Sequence, residues 1–491
     1  MAARTPPSWW PWAAALVAVL VHLGSLRNGF VLDDVQLVEN NPDIVSFSSV
    51  LRLFALPYWN VAGEHYGLYR PLTMASFAVN RAILGPGPFG FHLVNVLLHA
   101  GVAALAWTAL RNAGTHYGTA LLGSLLFATL PIHTEVVANV AGRAELLATL
   151  FVLGSWLAHR RERRVTAAAL YLGAILSKES AILAPLLFFA DDALRAKGRS
   201  FRPGALLAGY GIAAGAMVAL RALALGAHQG AAAAIPLDNP AAAAGVWPRV
   251  ATAAWVQLRY AVLSVAPWRL VSDYSFDAIP VARSFGDPRA LLGAGFLAAL
   301  ATALGWGWKS SRPVALAAII WLVFSMPSSN LFFPTGTIMA ERLAYLPSLG
   351  ICLTAGHLGA ASARGKRARI AVVTLAALIV VGFSIRTAVR IPDWKSNLTL
   401  ATADVATSPR SAKLQAGAGM FLAEAGQNHE AEAHLRRAIA IYPDYAQMHY
   451  NLAVLLARRG ARDEAVEHLR RAIELAPDNP MPQRLLDRLR P

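Results

Sequence analysis

The stretch RGKRARIAVVTLAALIVVGFSIR at 364–386 carries both features that decide the fold of this chain. From Ile370 to Ile385 it holds no charged residue, and an apolar run that approaches about 20 residues is long enough to cross a bilayer as a helix. Four cations stand directly before this run, and lysine and arginine concentrate in short loops on the cytoplasmic side of a membrane. The stretch therefore predicts a membrane-spanning helix that leaves the cytoplasm near Ile370.

Comparable apolar runs recur through the first 390 residues, so we predict an all-α, polytopic bundle of about eleven transmembrane helices. The composition agrees, because 56% of the 491 residues are hydrophobic and only 15% are charged, against about 25% charged in soluble proteins. The predicted crossings are 9–26, 89–110, 117–132, 144–158, 165–177, 180–190, 204–225, 289–308, 313–331, 343–360 and 370–388. No small-x-small cleavage site follows the first run, which is interpreted as an uncleaved anchor.

Further cationic clusters set the orientation of the bundle. They are RRERR at 160–164, the four cations Arg195, Lys197, Arg199 and Arg202, and Lys309 with Arg312. All clusters are cytoplasmic only if 165–190 forms two short helices broken at SKES and if 251–268 does not cross. The latter stretch contains Gln257 and Arg259 and is interpreted as a re-entrant or surface helix; if it crossed, the cluster at 364–369 would face outwards. Eleven crossings and a cytoplasmic N-terminus place the C-terminal hundred residues outside the cytoplasm.

The net charge of +16 is a signal of topology. The predicted cytoplasmic segments hold 16 cations and 3 acids, the tail at 391–491 holds 13 and 12, and the remainder holds 15 and 13. Because the excess lies in cytoplasmic loops, we expect no nucleic-acid partner. The single cysteine, Cys352, excludes an internal disulfide and a cysteine-based zinc cluster.

The tail repeats itself with a period of 34 residues. Gly419, Leu422, Ala431, Leu435, Ala438 and Pro443 recur as Ala453, Leu456, Ala465, Leu469, Ala472 and Pro477. Small residues where helices cross and a proline at the turn are typical of tetratricopeptide repeats. We predict a membrane domain at 1–390 and a repeat domain at 391–491, with repeats at about 412–445 and 446–479, a degenerate half repeat at 394–411 and a cap at 480–491. The concave surface of such an array favours a protein or peptide partner; dimerisation or stabilisation alone is the alternative.

Acids and cations stand beside apolar runs on the predicted outer face, and Asp33 with Asp34 comes first, just after the first span. Adjacent carboxylates raise each other's pKa, so the pair is a candidate general base and its neighbour; a solvated or helix-capping pair is the alternative. The other candidates for a substrate site are Glu64, His65, Arg70, His133, Glu135, Arg143, Glu145, Lys178, Glu179, Glu341, Arg342 and Tyr345. Charges at a lipid boundary face a cavity or pair with one another. Since arginine and lysine neutralise phosphate, the site fits a substrate with an anionic head group and a long apolar tail.

Two weaker patterns accompany these residues. His92, Asn95 and His99 share one face of the second span, which indicates either hydrogen bonds between helices or a cavity lining. His133 and Glu135 lack a diagnostic metal-ligand spacing, so no metal site is predicted, and neither the P-loop nor the Rossmann glycine pattern occurs.

The motifs FVLDD, HYGLYRPLT, FGFHLVNVLLHA, LPIHTEVVANVAGRAELLA, SKES and AERLAYLPSLG stand in that order before the repeats. Together they resemble the transmembrane and tetratricopeptide-repeat-containing O-mannosyltransferases and their bacterial relatives, over nearly the whole chain. The resemblance implies a GT-C glycosyltransferase fold, a polyprenyl-phosphate-linked sugar donor and inversion at the anomeric carbon. It places Asp33 and Asp34 at the acidic motif of the first outer loop, with Asp33 as the base for a serine or threonine hydroxyl.

Charge and position make Arg143, Lys178 and Arg342 the candidates for the lipid phosphate, with Glu135, Glu145 and Glu341 to orient them or to bind sugar hydroxyls. The expected function is transfer of a sugar, mannose by resemblance, to extracytoplasmic proteins without a further cofactor, with the need for a divalent metal left open. A non-enzymatic membrane scaffold that recruits a partner through the repeats is the alternative, and a lipid-linked sugar flippase is a third. The alanine- and arginine-rich composition is compatible with a bacterial inner membrane, with the repeats in the periplasm.

Overall fold

The computed structural model describes residues 9–62, 67–196, 204–226, 235–284 and 286–489, and within these ranges it contains helices and loops but no strand. The helices that precede the tail are α1 Trp10–His22, α2 Pro71–Leu84, α3 Pro88–Asn112, α4 Tyr117–Thr129, α5 Thr134–Ala138, α6 Arg143–Arg160, α7 Arg164–Ser177, α8 Ala184–Ala196, α9 Gly204–Leu225, α10 Val246–Val265, α11 Pro288–Ser310, α12 Arg312–Ser325, α13 Ser348–Ser362 and α14 Lys366–Arg390. The tail contains α15 Asn397–Thr407, α16 Ala412–Glu424, α17 Asn428–Ile441, α18 Ala446–Arg459, α19 Arg462–Leu475 and α20 Pro480–Leu489. The predicted all-α architecture is confirmed.

Several helices are long and apolar enough to cross a membrane. In the described part of the chain they are Trp10–Arg27, Pro88–Asn112, Val140–Arg160, Leu207–Leu225, Pro288–Ser310 and Lys366–Lys395. A seventh candidate is the pair Tyr117–Thr129 and Pro131–Ala138, which is bent by 49°. The protein is therefore a multi-pass membrane protein. Each of the eleven predicted crossings overlaps a helix, but Arg164–Ser177 and Arg312–Ser328 are shorter apolar helices, and the count of eleven stays a prediction.

The chain breaks where SKES predicts a break. α7 ends at Ser177, Lys178 is extended with φ −156° and ψ 131°, and a short 3-10 helix over Glu179–Leu183 leads into α8. The stretch predicted as a re-entrant or surface segment is helical as α10, and it is not among the helices that are apolar enough to span.

Small residues let the membrane helices approach one another closely. A Cβ atom on Gly350 of α13 would lie 2.4 Å from the carbonyl oxygen of Ala317 in α12, and one on Gly356 would lie 2.5 Å from that of Thr119 in α4. Neither position can hold a larger residue without separating the backbones, which is how small residues stabilise packing between membrane helices.

The polar stripe on α3 is used for hydrogen bonds between elements, one of its two interpretations. His92 Nε2 contacts the Gly29 carbonyl oxygen at 3.2 Å, Asn95 donates to the Asn139 carbonyl at 3.0 Å, and His99 Nδ1 lies 2.7 Å from the Tyr345 hydroxyl. All three side chains on the stripe are fully buried. They therefore fix α3 against neighbouring segments rather than line an open cavity.

The tail packs as stacked helix pairs and is joined to the membrane part. A Cβ atom on Gly419 of α16 would lie 2.7 Å from Leu435 of α17, the close crossing that a tetratricopeptide repeat requires. The backbone N–H of Ala412 donates to the Phe276 carbonyl at 2.6 Å, and Lys413 pairs with Asp238 at 2.7 Å. The repeat array is thus held against the loops on either side of α10.

Candidate active site

Asp34 is the buried member of the diacidic pair. Its side chain has no exposed surface, and its carboxylate accepts from the backbone N–H groups of Ala141 at 2.7 Å, Val140 at 3.0 Å and Val31 at 3.4 Å. Burial raises the pKa of Asp34 to about 7, against the opposing effect of the three hydrogen bonds. Asp34 therefore acts as an anchor that ties the loop at 28–34, named here the diacidic loop, to the turn before α6.

The turn that receives Asp34 is built for close approach. Asn139 caps it by accepting from the Ala141 N–H at 2.9 Å, and α6 starts directly after it at Arg143. A Cβ atom on Gly142 would lie only 2.2 Å from the Val136 carbonyl oxygen. Glycine is therefore required there, because any side chain would push the turn away from Asp34.

Asp33 is in the opposite situation. It is partly exposed, and its side chain forms no hydrogen bond or ion pair with any residue in the ranges that the structure describes. Its negative charge acts on Arg342 and on Tyr58. An accessible carboxylate without a fixed donor is free to accept a proton from a bound substrate.

The start of the tail holds the diacidic loop from the other side. Leu32 has a positive φ of 49°, rare for a branched residue, and its N–H donates to the Asn397 side-chain oxygen at 2.8 Å. The Gly29 N–H donates to the Lys395 carbonyl at 3.0 Å, and the Asn28 side chain donates to the Ile391 carbonyl at 3.1 Å. Asp33 is thus presented by a loop clamped between the turn at 139–142 and the chain entering α15.

Arg342 is the most accessible of the three candidates for the lipid phosphate, with 38% of its side chain exposed. Its guanidinium pairs with buried Glu135, whose other carboxylate oxygen accepts the Arg342 N–H at 2.8 Å. Burial works against the charge, but Glu135 and then Asp33 raise the pKa of Arg342 above its usual value. Glu135 therefore orients this cation, as the sequence predicts for one of its possible roles.

Two further ion pairs surround the break between α7 and α8. Lys178 pairs with Glu145, and Arg70 forms a two-point contact with Glu179, with Nε to Oε2 at 2.9 Å. Burial opposes ionisation of Glu179, yet Arg70 lowers the pKa of that carboxyl to about 2. Burial lowers the pKa of Lys178, although the Glu145 carboxylate opposes the shift.

A small cavity opens beside this pair of contacts. It encloses about 20 Å³, roughly the space of one water molecule. Its lining includes Glu145, Thr149, Ser180, Ser328 and Pro347. The hydroxyl of Thr149 is buried without a partner among the described residues, so the cavity offers a polar atom to a bound group.

The structure corrects the role predicted for Arg143. Its side chain is fully buried, and its guanidinium donates to Asn80 at 2.8 Å, to Asn95 at 2.9 Å and to the Phe91 carbonyl at 2.9 Å. The group also lies 4.8 Å from the centre of the Phe77 ring. With its donors occupied and no exposed surface, Arg143 joins α2, α3 and α6 and does not face a substrate in this structure.

Three other predicted site residues also lie in the interior. His133 is bonded between the Phe127 carbonyl and Ser348, each at 2.9 Å, and Tyr345 is fully buried against His99. Glu341 accepts from the Val271 N–H at 2.6 Å and from the Tyr274 hydroxyl at 2.7 Å, and burial raises its pKa to about 8. These buried contacts hold the segments that carry the more exposed site residues. Glu64 and His65 lie outside the described residues.

Some residues that complete the site carry no signal in the sequence. Tyr58 packs its ring 4.9 Å from the Arg70 guanidinium, and Asn397 comes from the tail, far along the chain from the diacidic loop that it contacts. No spacing rule connects such residues to Asp33, because only the folded chain brings them together. Among the residues that the structure describes, no group of three or more His, Cys, Asp or Glu side chains is arranged to hold a metal ion.

The fold and the charged residues together define a multi-pass membrane protein with a cluster of ion pairs among its loops and helices and a tetratricopeptide tail. The family profile described as Protein O-mannosyl-transferase TMTC, DUF1736 matches residues 231–301, and a tetratricopeptide repeat profile matches 418–480. Protein O-mannosyl-transferase F38B6.6 from Caenorhabditis elegans is 30% identical over 87% of this chain and 62% of its own length. Protein O-mannosyl-transferase TMTC4 from Mus musculus is 30% identical over 88% of this chain and 66% of its own length.

The chain is therefore similar to the TMTC family of protein O-mannosyl-transferases over most of its length, the resemblance that the motif order predicts. It spans a little less than two thirds of the length of these curated relatives. The crystal structure of ArnT from Cupriavidus metallidurans bound to undecaprenyl phosphate aligns over 96% of this chain and 76% of that chain, with 15% identity and a TM-score of 0.41. Because that likeness is weak, the similarity to the family rests on the sequence matches alone.

Proposed function

We propose that this protein transfers a sugar, mannose by its family resemblance, from a polyprenyl-phosphate-linked donor to serine or threonine hydroxyls of extracytoplasmic proteins. The observation that carries the proposal is the position of Asp33. The Asp33 carboxylate has no hydrogen-bond donor among the described residues, and its charge raises the pKa of Arg342, which is partly exposed and held by Glu135. A base and a phosphate-binding cation beside each other at a membrane boundary are what transfer from a lipid phosphate requires.

In the proposed reaction the acceptor hydroxyl oxygen attacks the anomeric carbon of the donor sugar. The bond between that carbon and the phosphate oxygen breaks, and the lipid phosphate leaves with the bonding electrons. Asp33 accepts the hydroxyl proton, and Arg342 neutralises the departing phosphate. A single displacement of this kind inverts the anomeric configuration. Asp34 takes no proton in this scheme, since its oxygens are held by backbone N–H groups.

The remaining charges support binding of the donor. Lys178 with Glu145 and Arg70 with Glu179 stand around the break between α7 and α8, next to the small cavity. Charged side chains between apolar helices suit the sugar-phosphate end of a donor whose tail lies in lipid, and the cavity beside them has room for about one water molecule. Lys178 is then the second cation for the phosphate, with Glu145 and Glu179 available to sugar hydroxyls.

The test of the base uses purified protein in detergent, polyprenyl-phosphate mannose with a labelled sugar, and a serine- and threonine-containing protein acceptor. Asp33→Asn should lower the transfer rate by about 10²–10⁴-fold, the usual contribution of a general base. Glu39→Gln changes an exposed acid in the same outer region and should leave the rate unchanged. Full transfer by Asp33→Asn would remove Asp33 from the mechanism.

We also propose that the diacidic loop and the repeats lie outside the cytoplasm, in the periplasm if the protein belongs to a bacterial inner membrane. The loop and the start of the tail are bonded directly to each other, so both must be on one side. A reporter enzyme that is active only outside the cytoplasm should give a signal when it is fused after Pro491. A cytoplasmic signal would refute this topology.

A further inference from the structure

The end of the tail contains a groove that the site at the membrane does not use. It lies between α18 and α20 and encloses about 510 Å³. Its lining includes Tyr450, Val454 and Arg458 from α18, and Met481, Arg484 and Arg488 from α20. Within each helix these residues follow at intervals of three or four, so each set lies on one face. The two faces together form a continuous wall of mixed apolar and cationic character.

The arginines of this groove are uncompensated. Arg458, Arg484 and Arg488 are exposed, and none of them forms an ion pair within the described part of the chain. Elsewhere in the tail, Arg436, Arg459 and Arg471 pair with Glu432, Glu464 and Asp444. Among the described residues that line the groove there is no carboxylate. The tail is nearly neutral as a whole, with 13 cations and 12 acids at 391–491, so the positive charge is concentrated locally.

The groove also offers apolar contact between its charges. Tyr450 and Val454 are half-buried along its inner side, while 47% of Met481 is exposed at its edge. An occupant must therefore present carboxylates to three arginines and apolar side chains to the space between them. Aromatic and arginine side chains together are the usual anchors of protein recognition.

We propose that this groove binds an extended peptide segment in which acidic residues alternate with apolar ones. This inference rests on the proposed function, from which it follows that the segment belongs to the protein that receives the sugar. A segment of that kind can place carboxylates against Arg484 and Arg488 while an apolar side chain reaches Tyr450. A planar lipid surface fits less well, because the half-buried residues lie inside the concavity and a flat array of head groups cannot reach them.

The attachment of the tail to the membrane part relates this binding to the proposed sugar transfer. Lys413 pairs with Asp238, and Arg390, at the end of α14, pairs with buried Asp404 of α15. These contacts and the clamp on the diacidic loop hold the array on the same side of the molecule as Asp33. A protein bound in the groove is thereby tethered to the chain that carries the site, which raises the local concentration of its hydroxyl groups.

The experiment measures binding without transfer. The probe is a fluorescein-labelled peptide Gly-Glu-Leu-Asp-Ala-Leu-Glu-Gly, which has no hydroxyl to modify, and its anisotropy is followed with the full-length protein in detergent. Arg484→Glu and Arg488→Glu should each weaken binding by about tenfold, and added salt should weaken the wild type. Arg437→Glu reverses an exposed arginine on α17 outside the groove and should change binding by less than about twofold.

Equal binding by Arg484→Glu and the wild type would overturn the proposal. So would displacement of the peptide by phosphatidylcholine–phosphatidylglycerol vesicles, or self-association of the wild type that Arg484→Glu abolishes. Asp33→Asn should bind the peptide normally. If Asp33→Asn still transfers sugar while the groove variants lose the peptide, the assignment of the base fails and the groove stands. The reverse pattern leaves the base and removes the groove.

Discussion

Replacing each of the two carboxylates of the diacidic loop should change the free energy of unfolding by different amounts. In Asp34→Ala, the Val140 N–H loses its acceptor inside the protein, at a cost of about 1–3 kcal/mol for an unsatisfied buried donor. The Ala141 N–H keeps a second acceptor, the Asn139 side-chain oxygen at 2.9 Å, and the contact to Val31 is long at 3.4 Å, so these two add little. We therefore expect a loss of about 1–3 kcal/mol at pH 6. Asp33→Ala removes a partly exposed side chain without hydrogen bonds and should stay within about 0.5 kcal/mol of the wild type.

The pH dependence provides a second signature. Because burial raises the pKa of Asp34 to about 7, the folded protein binds a proton between roughly pH 4 and pH 7 that the unfolded chain releases. The contribution of Asp34 to stability is therefore present at low pH and declines as the pH rises through 7. The penalty of Asp34→Ala should shrink accordingly between pH 6 and about pH 8.5.

Thermal unfolding of the purified variants in one detergent, followed by intrinsic fluorescence at both pH values, measures these differences. Sugar transfer is assayed on the same samples, so that loss of activity can be compared with loss of fold. The reasoning is refuted if Asp33→Ala destabilises the protein as much as Asp34→Ala does. It is also refuted if the penalty of Asp34→Ala grows as the pH rises.

Three further outcomes follow from the contacts around the site. Glu341→Gln keeps an acceptor for the Tyr274 hydroxyl and removes a carboxyl whose pKa burial raises to about 8. Between pH 7 and pH 9 the free energy of unfolding should therefore fall less in the variant than in the wild type, by more than about 1 kcal/mol, as measured by thermal denaturation. Identical curves would contradict this. Asn397→Ala removes the acceptor for the Leu32 N–H and should lower kcat with little change in the acceptor KM, while Asn397→Asp restores it; a change confined to KM would exclude positioning. Gly142→Ala should lower both the denaturation midpoint and transfer, since its Cβ would lie 2.2 Å from a carbonyl oxygen, and a normal midpoint would show that the turn can shift.

Much of the architecture was predictable, because it depends on local pattern. Uncharged runs of helical length predict spans, and cationic loops predict their orientation. The break at SKES is present as the extended Lys178. The period of 34 residues places the helices of the tail from Ala412 to Leu475. The domain boundary at 390 and the number of crossings stay predictions.

Within the site, the sequence determined which residues are candidates but not what each one does. Arg143 and Arg342 have the same chemistry and similar surroundings in the sequence, yet one is enclosed by α2, α3 and α6 and the other keeps 38% of its side chain exposed. Asp33 and Asp34 are neighbours, yet only Asp34 is buried. Their roles depend on distant contacts: Asp34 accepts from Val140, 106 residues away, and Leu32, beside Asp33, donates to Asn397, 365 residues away. Hydropathy and spacing act over one or two helical turns, so the sequence determined a charged membrane face, and only tertiary packing decided which of its charges is free to react.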